Sequence, residues 1–312
     1  MSTSFSVTDW QEHDRSARTA PWKRLAYRAA RPLITLEARR HLSTAAWRRW
    51  GVSWAYTQRG FPLEERRTFA ATGTSLAAAT LLVQGTGSGW DVVSWAEQRP
   101  KKIIAVDAWP FPQWDDIARH CKDRLGVEVA FHEAPLERCT FIADHTIDLC
   151  TSDAVFEHVR DLPAVLAESR RVLRPGGHLY AGFGPLWFAP GGDHFATRGG
   201  LEHAYAHIDR DATAYRAFFE GLKSPVEDFQ SGGRYVELDL FSKLTVDEYL
   251  RDFRAAGLRV EALIAEICPL ALAYERRFPD GVTALIARHA GRITRDDLRT
   301  KALLVRLIAP SR

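Results

Sequence analysis

The chain has 312 residues, 46% of them apolar and 26% charged, with a formal net charge of +3. That is ordinary globular usage; it excludes a disordered or fibrous chain and leaves room for one large α/β domain with appendages or for two smaller domains. No apolar run reaches the roughly 18 residues of a membrane span, so no integral membrane association is expected. The first residues also lack the apolar stretch of a secretory leader. Cys121, Cys139, Cys150 and Cys268 have no CxxC or CxxH spacing, which argues against a zinc site or a disulfide framework and for a reducing cytoplasm.

Charge is unevenly placed. Residues 1–76 hold 13 Lys/Arg against 6 Asp/Glu, and the remainder 29 against 33. This basic first quarter reads as a helical cap or lid ahead of a main domain over 77–312. Residues 22–31 put Trp22, Leu25 and Ala29 on one helical face and Arg24, Arg28 and Arg31 towards the other. Pro32 is expected to interrupt this helix, with a second segment continuing to about Trp50. Trp10, Trp22, Trp47, Trp50 and Trp54 are half of the ten tryptophans. The favoured reading packs the apolar face on the main domain and leaves the Arg face in water. A lid over the substrate and a membrane-surface helix are the alternatives. The basic cluster is too sparse for nucleic-acid binding.

From about residue 78, strand-like runs alternate with helical stretches: ATLLVQ, KKIIAVDA, VEVAFHEA, TIDLCTS and GHLYAGFG. The alternation predicts a doubly wound α/β domain built on a mostly parallel sheet. DLPAVLAESRRVL has helical spacing and stops at Pro175-Gly176-Gly177. An irregular insertion rich in Gly, His and aromatics occupies about 185–240. Helix-like TVDEYLRDFRAAG, strand-like LRVEALIAE and a last strand, KALLVRLIA, complete the pattern.

Gln84-Gly85-Thr86-Gly87-Ser88-Gly89 directly follows LLV and precedes DVVSWAEQ. Glycines at such a strand-to-helix turn let the backbone bend sharply and let a ligand approach it. No Gly-Lys-Ser/Thr follows, which excludes a phosphate-cradling P-loop. Trp90 and Asp91 after Gly89 depart from the dinucleotide pattern and argue against NAD. Asp107, at the end of the second run, is placed to accept both hydroxyls of a ribose. Glu133 and Ala134, at the end of the third, suit an adenine edge.

Together these residues resemble the class I S-adenosylmethionine-dependent methyltransferases over about residues 78–183. The match lies in LLVQGTGSG, in Asp107 of IIAVDA, in IDLCTSDAVFEHV and in LPAVLAESRRVLRPGGHLYAGF. The resemblance implies a seven-stranded doubly wound sheet and S-adenosyl-L-methionine as cofactor. Carried over, Gly85, Thr86 and Gly87 would line the methionine and ribose, Asp107 the ribose, and Glu133 with Ala134 the adenine. Ser152 and Asp153 would face the methionine end or the substrate mouth. One departure is Val83, where the family commonly has an acidic residue for the cofactor's ammonium. Asp153 or main-chain carbonyls would have to serve there.

The acceptor side is expected to combine the N-terminal helices with the 185–240 insertion. His194 is the candidate base, because imidazole titrates near neutrality. His203, His207 and Asp209 are spaced for a metal site, but that spacing arises readily by chance, and no metal is expected. His158 is read as shaping the cofactor-side loop. The expected activity is methyl transfer to a small-molecule acceptor, oxygen foremost, in a secondary metabolite or sugar. The rivals are a binding or regulatory protein that has lost turnover, which Val83 favours, and a nicotinamide-dependent oxidoreductase.

Overall fold

In the computed structural model, which describes residues 20–57, 62–195, 199–222 and 237–311, the apolar runs become strands of one sheet. They are β1 (Trp54–Tyr56), β2 (Thr80–Gln84), β3 (Lys102–Asp107), β4 (Glu128–Glu133), β5 (Ile147–Asp153), β6 (Leu173–Phe183), β7 (Arg259–Ile267) and β8 (Thr300–Ile308). Their spatial order is β1-β7-β8-β6-β5-β2-β3-β4. Only β8 runs antiparallel, between β6 and β7. Both faces are covered, so a strand is apolar throughout: in β2, Leu81 and Val83 enter one core and Leu82 the other. Reversal of strand order around β2 and β5 puts a crevice above their carboxyl ends.

All seven expected strands are present, and the count is corrected by one. The eighth, β1, lies in the N-terminal region and pairs in parallel with Ile264–Glu266 of β7. Three residues are too few for a periodicity to show in the sequence. What makes the strand is its position: Gly51 closes the preceding helix at φ 67, and the Ser53 amide then donates to the Leu263 carbonyl at 2.8 Å.

Among the described residues, three α-helices precede β2: α1 (Pro21–Arg39), α2 (Thr44–Trp50) and α3 (Leu63–Ala71). Around the central strands lie α4 (Trp90–Ala96), α5 (Trp114–His120) and α6 (Leu162–Val172). After β6 come α7 (Ala206–Asp209) and α8 (Ala212–Glu220), then α9 (Val246–Ala255), which leads into β7. A second helical insertion, α10 (Pro269–Arg277), α11 (Pro279–Arg288) and α12 (Arg295–Arg299), separates β7 from β8.

Two expectations for the N-terminal region are overturned, while Trp10 lies outside the described residues. First, α1 runs through Pro32. Proline removes one backbone bond, but the helix is held on both sides of it, Tyr27 and Ile34 packing against the core. The break comes at Ser43, which caps α2 by accepting from the Ala46 amide at 3.0 Å and is itself held by Asp296. Second, the faces of α1 are exchanged. Arg24 and Arg28 turn towards the protein, 3.4 and 2.6 Å from Glu64 and Glu65 of α3, and Arg31 lies over the Trp54 ring. Trp22 and Leu25 are 69% and 71% exposed. Two acids and an indole on the protein side give the arginines better partners than water does.

Candidate active site

The glycine loop begins where β2 ends. Gly85 and Gly87 have φ of 66 and 51, a backbone region that side chains disfavour. At Gly85 a Cβ would also fall 2.3 Å from Val155 Cγ2, so nothing larger than glycine fits there. Asp107 clasps the loop from β3: its carboxylate accepts from the Gly87 amide at 2.7 Å and from the Trp109 amide at 3.2 Å. The Trp114 indole donates to the Gly87 carbonyl at 2.8 Å and fastens the far side.

Beside this loop is a cavity of about 540 Å³ whose wall includes Gly85, Asp107, Trp109, Leu136, Val155 and His158. Of the predicted residues, Gly85 and Asp107 form this wall. A Cβ on Gly87 would meet nothing within 4 Å, so open space lies next to it. Thr86 and Ser152 are buried at 6% and 2% exposure. Glu133 and Ala134 sit at the end of β4, where the Ala134 amide donates to the Asp107 carbonyl at 2.9 Å; the wall there is built by Pro135, Leu136 and Glu137. Trp109, an exposed ring beside Asp107, carried no signal in the sequence.

A second, smaller cavity of about 210 Å³ is lined by Tyr56, Arg66, Gly182, Gly184 and Glu266 among others. The two share Ala154, which follows β5 at φ 57. Next to it, Asp153 is gripped by two guanidinium groups of α3, Arg66 at 3.0 Å and Arg67 at 2.7 Å, and accepts from the Tyr180 hydroxyl at 2.8 Å. Burial alone would raise the Asp153 pKa, but the two arginines outweigh it and hold the carboxyl below its usual range. Val83 is buried in the core, and Gln84 turns to the other face of the strand, its amide 3.0 Å from Ser169 Oγ. Neither is available to a cofactor's ammonium.

The third component is a cluster of Glu157, His158 and His194, whose ligating atoms all lie within 4.8 Å of one another. Glu157 is 2% exposed; Oε1 accepts from the Gly184 amide at 3.1 Å, and Oε2 has no hydrogen-bond partner among the described residues. Burial pushes its carboxyl up to about 8. His158 Nδ1 donates to the Leu240 carbonyl at 3.0 Å, which leaves Nε2 as the acceptor of the neutral ring, and burial lowers its pKa. The His194 ring is centred 4.8 Å from that of His158. His194 thus lies beside His158, in company with a carboxyl that sequence reasoning passed over.

His203, His207 and Asp209 are not gathered: His203 packs on Phe218, His207 Nε2 meets the Trp187 carbonyl at 2.7 Å, and Asp209 pairs with Arg288. The aromatics of the insertion have a structural use. Trp187, Phe188, Phe195, Tyr205, Tyr215 and Phe219 form a satellite core with Tyr274, Val282, Leu285 and Leu298 of the second helical insertion.

Residues 82–181, from β2 into β6 and so including both the glycine loop and Asp107, match the family model described as a methyltransferase domain. That segment, about a third of the chain, is where the likeness to methyltransferase domains lies. Two curated proteins are similar to this chain over about a third of its length. An uncharacterized 37.1 kDa protein in transposon TN4556 of Streptomyces fradiae is 35% identical over 103 residues, 31% of this chain and 28% of that one. The malonyl-[acyl-carrier protein] O-methyltransferase of Serratia marcescens is 36% identical over 107 residues, 34% and 38% of the two chains. The chain therefore spans well under half the length of these relatives. Among solved structures, geranyl diphosphate C-methyltransferase from Streptomyces coelicolor has a TM-score of 0.47 at 15% identity, covering 80% of this chain and 79% of that one. An S-adenosylmethionine-dependent methyltransferase from Mesorhizobium loti has 0.45 at 18%, covering 78% and 96%.

Proposed function

We propose that this protein transfers a methyl group from S-adenosylmethionine to an oxygen of a small-molecule acceptor. The observation that carries this reading is the cavity beside the glycine loop, walled by Asp107 and sharing Ala154 with a second cavity. The residues suit the cofactor: an acid at one end, apolar sides, and open space beside Gly87 where backbone can be approached. When bound, S-adenosylmethionine supplies the methyl as an electrophile already activated by its sulfonium. The chain's part is then chiefly to hold the acceptor in line, an effect able to reach several kcal/mol. Asp107 would take the ribose hydroxyls, while Trp109, Leu136 and Val155 would enclose the base. The smaller cavity, with Arg66, Tyr56 and Glu266 on its wall, would hold the acceptor. For a hydroxyl acceptor reaching past Ala154 towards His158, on the wall of the larger cavity, His194 would remove the proton, with His158 and Glu157 beside it.

Oxygen is supported by the name of the Serratia relative. Val83 favours the other reading, a fold that binds without turnover. Calorimetric titration with S-adenosylmethionine, S-adenosylhomocysteine and NAD tests the cofactor first: the adenosyl ligands are expected to bind and NAD to be silent. The reverse pattern sinks the proposal. A turnover screen over hydroxyl and carboxyl acceptors then separates the two readings.

Two substitutions test the assignments. Asp107→Ala is expected to weaken cofactor binding by about 1.5–3 kcal/mol through loss of charge-assisted hydrogen bonds. An unchanged affinity removes Asp107 from the site. His194→Ala is expected to keep cofactor affinity and slow turnover of a hydroxyl acceptor by roughly 10²–10⁴-fold. Full activity eliminates it as the base.

A further inference from the structure

Seven large apolar side chains stand exposed among the described residues, and four of them lie on α1: Trp22 at 69%, Leu25 at 71%, Leu33 at 71% and Leu36 at 55%. Their spacing, with Ala29 between them, follows one face of the helix over about 21 Å. This face is not the one that holds α1 to the protein. Tyr27 and Ile34 pack on the core, Ala38 is buried, and Arg24 and Arg28 reach Glu64 and Glu65 on the opposite side. The helix is thus apolar on two faces and anchored by only one.

The flanks of the exposed face are basic. Lys23, Arg39 and Arg40 are exposed, and Arg28 is 57% exposed beyond its contact with Glu65. The only acid on α1 is Glu37, whose oxygens are engaged by His41 at 2.9 Å and Thr57 at 2.7 Å. Lys23 lies 5.5 Å over the Trp22 ring, a pairing suited to a boundary between apolar and charged surroundings. No helix in the described residues is long and apolar enough to cross a membrane, so α1 would have to lie along a surface.

We propose that α1 docks this protein onto an anionic lipid bilayer, with Trp22, Leu25, Leu33 and Leu36 entering the headgroup–acyl boundary. Lys23, Arg39 and Arg40 meet the lipid phosphates. An apolar face supplies the depth and the cations supply the preference for negative charge, and both are needed for firm surface binding. A partner protein of matching shape would be served by the apolar stripe alone; the basic border is what selects a bilayer.

The test is co-sedimentation of the full chain with vesicles of phosphatidylcholine alone and of phosphatidylcholine mixed with phosphatidylglycerol. The protein is expected to pellet with the mixed vesicles and to remain in solution with the neutral ones, and added salt is expected to release it. The double substitution Leu25→Glu with Leu33→Glu is expected to lower the bound fraction by about tenfold or more. Lys23→Glu with Arg39→Glu is expected to weaken binding to the mixed vesicles without touching the stripe. Unfolding midpoints of both variants should stay at the parental value. Failure to pellet with anionic vesicles overturns the proposal, as does equal pelleting of parent and variants. A concentration-dependent dimer abolished by Leu25→Glu with Leu33→Glu would assign the face to self-association instead. A large fall in the midpoint of that variant would show that the face is already covered by the chain itself.

Discussion

Replacing Arg67 by methionine is expected to destabilise the fold by about 3–5 kcal/mol, the range for removing one partner of a buried charge cluster. The side chain is 5% exposed and uses its whole fork: Nη1 reaches Asp153 at 2.7 Å, Nη2 reaches Asp91 at 2.6 Å, and Nε reaches Ser94 Oγ at 3.1 Å. Its plane also rests on Trp95, 4.3 Å from the ring centre. Methionine keeps much of the stem's bulk, so the loss reports on charge more than on volume. Lysine is not expected to restore stability, because one ammonium cannot serve three partners in a plane. Urea unfolding with an unchanged slope and a lowered midpoint is the expected signature. An unfolding free energy within about 0.5 kcal/mol of the parent would mean that Arg66 alone suffices to hold Asp153. Arg66→Met provides the comparison, and a smaller effect is expected because its side chain is 31% exposed.

Glu157→Gln is expected to make the protein more stable in alkali, opposite to the usual fate of a lost carboxylate. In the folded chain burial holds this carboxyl at about 8, against an ordinary value of 4.5. Between those two values the folded state binds a proton that the unfolded state has released. Stability therefore falls as pH rises from the lower value to the upper, and it stays low above. The full difference corresponds to a few kcal/mol. Glutamine mimics the protonated acid and carries no such dependence. Melting curves for parent and variant should nearly coincide near about pH 5 and diverge by about pH 9, the variant being higher. Parallel curves across that range would show that Glu157 is ionised in the folded state under all these conditions. Such a result would also change the chemistry beside His194, since a neutral carboxyl donates a hydrogen bond and a carboxylate accepts one.

Much of the sheet was legible because its signals are local. Most of the seven expected strands are short, mainly apolar runs set among helical stretches, a pattern that a sheet covered on both faces favours. Gly85 and Asp107 were legible for a related reason: a sharp turn and a strand-end acid fall at fixed intervals along one segment. Arg66 and Arg67 were not. In LEERRTF they look like two solvated helix charges, and only the packing of α3 over the end of β5 reveals a buried clasp on Asp153. Glu157 was hidden differently. It sits beside His158 in a turn, and its pKa depends on burial, which no spacing reports. The exchange of faces on α1 belongs to the same class, because the partners of Arg24 and Arg28 come from residues 64 and 65.

The addition of β1 bears on how this sheet meets other molecules in a crowded solution. A sheet ending on β7 would offer nine residues of unpaired backbone as a template for a neighbouring chain. With β1 in place, Ile264–Glu266 are occupied and the strand now at the border is three residues long. The uncovered part of β7 carries Arg259 and Glu261, while at the other border β4 begins with Glu128 and ends with Glu133. A short strand at one rim and charge at both are the devices by which open sheets escape edge-to-edge polymerisation. By this measure, the segment ahead of the glycine loop guards the domain against aggregation as well as bordering the smaller cavity.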